Sequence, residues 1–244
     1  MDSEWHSLLS FLPEPRPTFP PGVPVIFRGV RDKPSICERY EQSRLTRTAL
    51  GVNRLYTRVY HHVRLENRCP VPRRGPAILA SNHISGLDPF LLQSACPRLI
   101  RWMMAREYYE IPGLSRQLDA IGAIPVARNG RDMQAMRRAL AALADGCVVG
   151  VFPEGRIAKE HRLLPFQLGI GLLAVKSGVK VYPARIAGSQ LGREMAEALF
   201  EPQNARLAFG GPVHLADFGP ADKPWGMYAE ATALIEEAVG GLRV

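Results

Sequence analysis

Residues 76 to 89 read Pro76-Ala77-Ile78-Leu79-Ala80-Ser81-Asn82-His83-Ile84-Ser85-Gly86-Leu87-Asp88-Pro89. An apolar stretch that reads as a strand passes through a short polar turn and ends on Asp-Pro. Asp88 suits a helix N-cap and Pro89 the first helical position, where an N–H has no partner to lose. The same alternation recurs downstream. Residues 76–81, 100–104, 121–127, 147–152, 179–187 and 205–210 read as strands, and 88–96, 112–119, 131–145, 167–177 and 225–240 as helices. Short apolar runs alternating with amphipathic stretches predict an α/β protein, a mixed sheet flanked by helices.

The turn between the first strand and its helix carries the chemistry. Histidine takes a proton from an alcohol near neutral pH without a large pKa shift. It does so best when a carboxylate fixes its tautomer and stabilises the imidazolium. Asp88 follows His83 by five positions, close enough for a turn to fold the carboxylate back onto the ring. Two readings stand: a general base with its orienting acid, or a helix cap beside a hydrogen-bonded structural histidine.

Other strand candidates end in comparable blocks. Gly122-Ala123-Ile124-Pro125-Val126-Ala127-Arg128 is one, and Phe152-Pro153-Glu154-Gly155-Arg156 follows the strand candidate at Cys147. Val181-Tyr182-Pro183-Ala184 is another, with Ala187-Gly188-Ser189 beyond it. Functional side chains sit on the loops at strand ends in α/β proteins. Taken in this order, the four blocks resemble those of the glycerolipid acyltransferase family, whose best-known members act on lysophosphatidic acid. Leu164-Pro165-Phe166-Gln167 and Gly169 to Ala174 are similar to that family too. The resemblance covers about Pro76 to Ser189.

The resemblance implies acyl transfer from a thioester, acyl-CoA or acyl-carrier protein, to the free hydroxyl of 1-acylglycerol-3-phosphate, giving phosphatidic acid. His83 is then the general base and Asp88 its partner. Arg128 and Arg156 are candidates to hold the acceptor phosphate by charge-assisted hydrogen bonds. Glu154 is expected to accept hydrogen bonds from glycerol hydroxyls or an arginine. Gly155 is expected to bring backbone close to the ligand, with backbone N–H groups near Gly86 or Gly155 as possible oxyanion donors. Pro183 belongs to the block associated with substrate binding. Each has a plainer reading: Arg128 as a surface arginine beside Asn129-Gly130, Pro183 as a strand-end proline. The family pattern commonly has a threonine where Arg156 stands, which leaves its role less defined. An activated thioester needs no enzyme nucleophile, and the sequence has no Gly-x-Ser-x-Gly elbow. Alternatives are the same transfer to another lysolipid, including a lyso-amino-lipid, thioester hydrolysis, or lipid binding without catalysis. No metal or resident cofactor is expected.

Composition bounds the rest. The chain has 244 residues and a formal net charge of +8, supplied mostly by arginine. From Gln190 onward eight acids face four bases, so the positive excess lies earlier. Basic residues without interleaved aromatics or a recognisable module argue against nucleic acid and leave an anionic membrane surface as partner. Cys37, Cys69, Cys96 and Cys147 are scattered, which predicts neither a metal site nor a disulfide framework and suits a reduced cytoplasmic setting. The first residues lack a basic-then-apolar signal pattern, and no run approaches the roughly 18 apolar residues of a spanning helix. The expected location is therefore cytoplasmic, peripheral to the inner face of a membrane.

Three segments follow. Residues 1–33 form a proline-rich leader, 34–70 a basic amphipathic helical segment, and 71–244 the α/β domain. Within 34–63, Leu45, Ala49, Val52, Tyr56, Val59 and Val63 share an arc of about 80°, and Arg44, Arg47, Arg54 and Arg58 another on the opposite side. The apolar arc is expected to pack on the core. The arginine arc is either solvated or set against lipid headgroups. His61 and His62 read as solvated helix residues. Met103, Met104 and Trp102 read as core or as the lining of an acyl pocket.

Overall fold

All six strand candidates form strands. The computed structural model describes residues 37, 41, 43–127, 132–160, 162–213, 215 and 224–244. Among these, the strands are β1 (Arg64–Leu65), β2 (Ala77–Ser81), β3 (Ile100–Ala105), β4 (Ile124–Val126), β5 (Val148–Val151), β6 (Val181–Ala187) and β7 (Arg206–Phe209). The helices are α1 (Arg44–Val59), α2 (Asp88–Ala95), α3 (Leu114–Ile121), α4 (Met133–Ala144), α5 (Gly169–Ser177), α6 (Met195–Phe200) and α7 (Pro224–Gly240). A 3-10 turn spans Arg106–Glu110. The two-residue β1 and the six-residue α6 were not expected, since each is too short to impose a period on the sequence.

The strands form one sheet in the order β1-β7-β6-β2-β5-β3-β4. It is parallel throughout except where β6 meets β7. β2 lies at the centre, all five residues buried. That explains its unbroken apolar reading: a strand covered on both faces has no polar side. On one face Ile78, Ala80, Val149, Val151 and Val181 meet α4, α5 and α7 through Ala139, Leu143, Ile170, Leu173 and Ile235. On the other, Ala77, Leu79, Ile100, Trp102 and Val148 pack with Leu91 and Leu92 of α2 and Ala198 of α6. The loops that follow β2, β3, β4 and β5 therefore gather at one rim, the C-terminal edge of the parallel strands, where open α/β sheets bind ligands.

The boundary drawn at residue 70 does not separate a domain. β1 belongs to the 34–70 segment, yet it is the edge strand of the sheet beside β7. The described residues all fall within one compact unit, Arg31–Val244. The leader 1–33 lies outside the described residues.

Helix α1 corrects the expectation in another way. Ser43 caps it by accepting the Thr46 N–H at 3.0 Å. Most of the apolar arc does not face the core: Leu45 is 79% exposed, Val52 62% and Val59 65%, whereas Tyr56 at its centre is docked. A polar side docks instead. Asn53 Nδ2 donates to the Phe90 carbonyl at 2.9 Å and Arg54 Nε to the Ser94 carbonyl at 3.1 Å. Thr57 is fully buried, and the Tyr56 hydroxyl donates to the Leu199 carbonyl. The surface under α1 offers carbonyls, among them that of Ser94 in the last turn of α2, which has no intrahelical donor, so it selects donors rather than methyl groups. His61 is likewise not solvated. It is fully buried, edge-on to Tyr56 and Tyr60, while His62 is exposed.

The cysteines are scattered in sequence but paired in space. Cys37 and Cys147 form a disulfide across a sequence separation of 110, contrary to the expectation of free thiols. Cys69 and Cys96 remain thiols and share a hydrogen bond. That bond and burial push the Cys96 thiol well above its usual range. Cysteine pairing is set by the tertiary fold, which spacing along the chain does not encode.

One buried charge ties the far end of the sheet together. Arg98 is 3% exposed and donates to the carbonyls of Pro72, Gly75 and Gly146, and to Glu41 at 3.2 Å. Replacing it with methionine keeps the stem but leaves those carbonyls unpaired. Arg98→Met is expected to cost at least about 3 kcal/mol in urea unfolding, the scale of a broken buried charge network. A change under about 1 kcal/mol would show that water replaces the guanidinium.

Candidate active site

His83 sits directly beyond the central strand. Its Nδ1 lies 3.0 Å from Asp88 Oδ2. A carboxylate can only accept here, so Nδ1 carries the proton and the Nε2 lone pair is left for a substrate. Asp88 is fully buried. Its Oδ2 also accepts the N–H groups of Ile84 at 2.7 Å and Ser85 at 2.9 Å. The helix begins one residue earlier than expected: Leu87 is the N-cap and Asp88 the first helical residue. The carboxylate therefore turns back into the loop it follows instead of capping the helix ahead of it.

The ring is also held on its face. Phe152, just past β5, stacks on His83 with centroids 4.0 Å apart, and Trp102 of β3 stacks on Phe152 at 4.9 Å. Gly150 makes the stack possible, because a Cβ there would collide with the Trp102 ring. Trp102 is thus core, whereas its neighbours Met103 and Met104 line the cavity below. Sequence reasoning missed the stack, although an aromatic directly beside the Pro-Glu-Gly-Arg block was its signal.

Glu154 has a different task from the one expected. It is 4% exposed and both oxygens are engaged. Oε1 accepts the backbone N–H of His83 at 2.8 Å, and Oε2 that of Leu164 at 3.1 Å. Ala158 N–H donates to the His83 carbonyl at 2.8 Å, so the 154–158 turn grips His83 from both ends of its peptide. Glu154 clamps the loop that carries His83. Gly155 turns the chain at φ 70°, and a side chain there would strike the Gln167 amide. The N–H groups suggested as oxyanion donors are occupied: Gly86 donates to Arg193 and Gly155 to Phe152.

A cavity of about 560 Å³ opens beside His83. Its mouth carries exposed Arg156, Lys159 and Glu194 together with Tyr108. Its inner end reaches Met103, Val126, Ala135, Ile170 and Leu173, of which Ala135, Ile170 and Leu173 are buried. The site thus joins a basic, wet rim to an apolar arm, with the histidine between them. Arg156 makes no ion pair with any described residue. Lys159 was not singled out from sequence; three residues beyond Arg156, it adds a second cation to the rim. Arg128 lies outside the described residues, and its neighbour Ala127 lines the cavity. Pro183 does not line it. It is buried in β6, opposite Ala80 of β2, and its carbonyl accepts from Gly210 at 2.8 Å. That places it in the sheet and removes it from the substrate-binding set.

Burial pushes the Glu154 carboxyl up, while the His83 and Leu164 N–H groups pull it down by less. A raised folded-state value means the folded protein holds the proton more tightly than the unfolded chain. The resulting stability is fully present below the ordinary glutamate range and is lost as pH rises through the raised value. Urea unfolding of wild type and Glu154→Gln, from about pH 4 upward, reads this directly. Wild type should lose stability relative to the variant across that window. The variant should also be weaker by about 1–3 kcal/mol at neutral pH, since its amide NH₂ cannot accept the second N–H. A pH-independent difference would contradict the account.

Comparison with known proteins gives the family. Residues 62–187 match the Acyltransferase family, a span that takes in both carboxylates, the histidine and the aromatic stack. The chain is 30% identical over 144 residues to a chloroplast 1-acyl-sn-glycerol-3-phosphate acyltransferase of Arabidopsis thaliana, a match covering 57% of this chain and 40% of that protein. It is 27% identical over 157 residues to the 1-acyl-sn-glycerol-3-phosphate acyltransferase of Bacillus subtilis, covering 64% and 76%. The fold is similar to the crystal structure of the 1-acyl-sn-glycerophosphate acyltransferase PlsC of Thermotoga maritima, with a TM-score of 0.61 at 23% identity over 84% of this chain and 87% of that one. The chain belongs to the acyltransferase family.

Proposed function

We propose that this protein acylates the free hydroxyl of 1-acylglycerol-3-phosphate from an acyl thioester, acyl-CoA or acyl-carrier protein, and so makes phosphatidic acid. The observation that carries this reading is the His83–Asp88 pair, 3.0 Å apart, at the junction of a basic rim and an apolar arm. The two named relatives act on 1-acyl-sn-glycerol-3-phosphate, which supports the same acceptor here.

The chemistry follows from the atoms. His83 Nε2 takes the hydroxyl proton as the oxygen attacks the thioester carbonyl carbon. The imidazolium is stabilised by the buried carboxylate that touches Nδ1. The tetrahedral intermediate expels the thiolate, which takes the proton back from His83. No enzyme atom bonds to the acyl group. Arg156 and Lys159 hold the acceptor phosphate at the rim, and the Met103–Ile170 arm takes an acyl chain. Phe152 keeps the ring from turning out of line, because a base works only within hydrogen-bond reach of its proton.

Such an acceptor lives in a bilayer, and among the described residues no helix is long and apolar enough to cross one. The contact we propose is the outer face of α1, with the protein peripheral to a membrane surface. Leu45, Val52, Leu55 and Val59 form its exposed apolar stripe, with exposed Arg44, Arg47 and Arg58 alongside. Phe200, 80% exposed, adjoins it through the Tyr60 hydroxyl that donates to its carbonyl. An apolar stripe edged by arginines suits the interface of an anionic leaflet, where methyl groups enter the acyl boundary and each cation adds about 1 kcal/mol.

The activity is tested with labelled acyl-CoA, a panel of lysolipids and mass spectrometry of the products. Wild type should give phosphatidic acid from lysophosphatidic acid, and His83→Ala should be slower by about 10²–10⁴-fold with native circular dichroism. Free fatty acid as the main product would point to a thioesterase instead. Acylation confined to an acceptor without phosphate would overturn the acceptor. The membrane contact is tested by co-sedimentation with anionic vesicles. Replacing Leu45, Val52, Leu55 and Val59 by glutamine should abolish binding, at about 1.5–3 kcal/mol per buried side chain, while activity on detergent-dispersed acceptor persists. Unchanged binding would move the contact elsewhere.

A further inference from the structure

Asp88 has a second oxygen, and a residue 101 positions away holds it. The Ser189 hydroxyl donates to Asp88 Oδ1 at 3.1 Å, and both side chains are buried. Oδ2 meanwhile serves His83 Nδ1 and the Ile84 and Ser85 N–H groups. Without Ser189 the donors would pull on one oxygen only, and the carboxylate would be free to rotate about its Cβ–Cγ bond. With it, the two oxygens are pinned from different directions.

Ser189 is itself fixed. It follows β6 through Gly188, at φ 74°. Next to it, Gln190 N–H donates to Gln203 Oε1 at 2.9 Å. Just before it, Asn82 pairs with the backbone of Ile186 at both groups: Nδ2 donates to the carbonyl at 3.0 Å and Oδ1 accepts the N–H at 2.8 Å. The end of β6 therefore meets the catalytic loop at two points, one beside His83 and one at Asp88.

We propose that Ser189 is a positioning residue of the catalytic pair: it sets the plane of the Asp88 carboxylate and, through it, the aim of His83. The inference rests on the reading of His83 as the base. Ser189 forms no part of the cavity wall, so its effect should fall on turnover and not on binding. Misplacement of a catalytic group by a fraction of an ångström to 1 Å costs about 10- to 100-fold.

The experiment compares wild type, Ser189→Ala, Ser189→Gly and His83→Ala in steady-state kinetics and in proton NMR of the nitrogen-15 histidine-labelled protein. The imidazole Nδ1–H of His83, assigned by its loss in His83→Ala, reports the hydrogen bond to Asp88. Both Ser189 variants should lower kcat by about 10- to 100-fold with KM for donor and acceptor within about twofold. Both should also shift and broaden the Nδ1–H resonance. The proposal is overturned by wild-type kcat in either folded variant. It is equally overturned by a reduced kcat with an unchanged Nδ1–H resonance, which would mean a structural effect elsewhere. If His83→Ala keeps full activity, the base reading itself fails, whatever the Ser189 variants do.

Discussion

Two buried carboxylates grip one histidine, and the arrangement of this molecule follows from that. Asp88 reaches it from the helix that follows, at the ring nitrogen; Glu154 reaches it from the loop after β5, at the backbone nitrogen. Burying two carboxylates is unfavourable unless hydrogen bonds satisfy them. Each is satisfied here largely by N–H groups of the loops it organises, so forming the site and solvating the charges are the same event. The central position of β2 makes this possible. Only a strand with neighbours on both sides brings the loops after β5 and β6 within reach of the residue that follows it.

The aromatic stack completes the restraint in the remaining direction. Hydrogen bonds fix the histidine in its plane, and Phe152 backed by Trp102 fixes it perpendicular to that plane. The glycine at 150 belongs to the same restraint, since it leaves room for the Trp102 ring two strands' width from the histidine's own loop. The apolar arm of the cavity runs from this stack toward α4 and α5, so the walls that hold the histidine also line the cavity. At the other side of the molecule, α1 lies on α2, the helix that carries Asp88, which joins the proposed membrane face to the site through a single helix.

The sheet was legible in the sequence because its central strands β2, β5 and β6 are short apolar runs buried on both faces, bounded by glycine, proline and charged residues. The His83–Asp88 pair was legible because it is local: five residues and one turn decide it. What the sequence hid was long-range. Glu154 reads as an acid in a site block, and nothing along the chain says that its partners are the backbone nitrogens of residues 83 and 164. Ser189 is a small polar residue after a strand, and its partner is 101 positions away. The periodicity of α1 was right and its direction wrong. Amphipathicity says that two faces differ, and the surface beneath decides which one is turned inward; here that surface offers carbonyls. Pro183 looked like part of a site because it sits in a matching block, but the block is a central strand and its proline packs between neighbours.

A crystal structure with lysophosphatidic acid bound tests the central claim most directly, since the claim is geometric. The account predicts the free hydroxyl within about 2.6–3.2 Å of His83 Nε2, the phosphate against Arg156 and Lys159, and the Asp88 and Glu154 contacts unchanged from the free protein. A hydroxyl held away from His83, or a phosphate seated at another surface with the histidine facing only solvent, would contradict it.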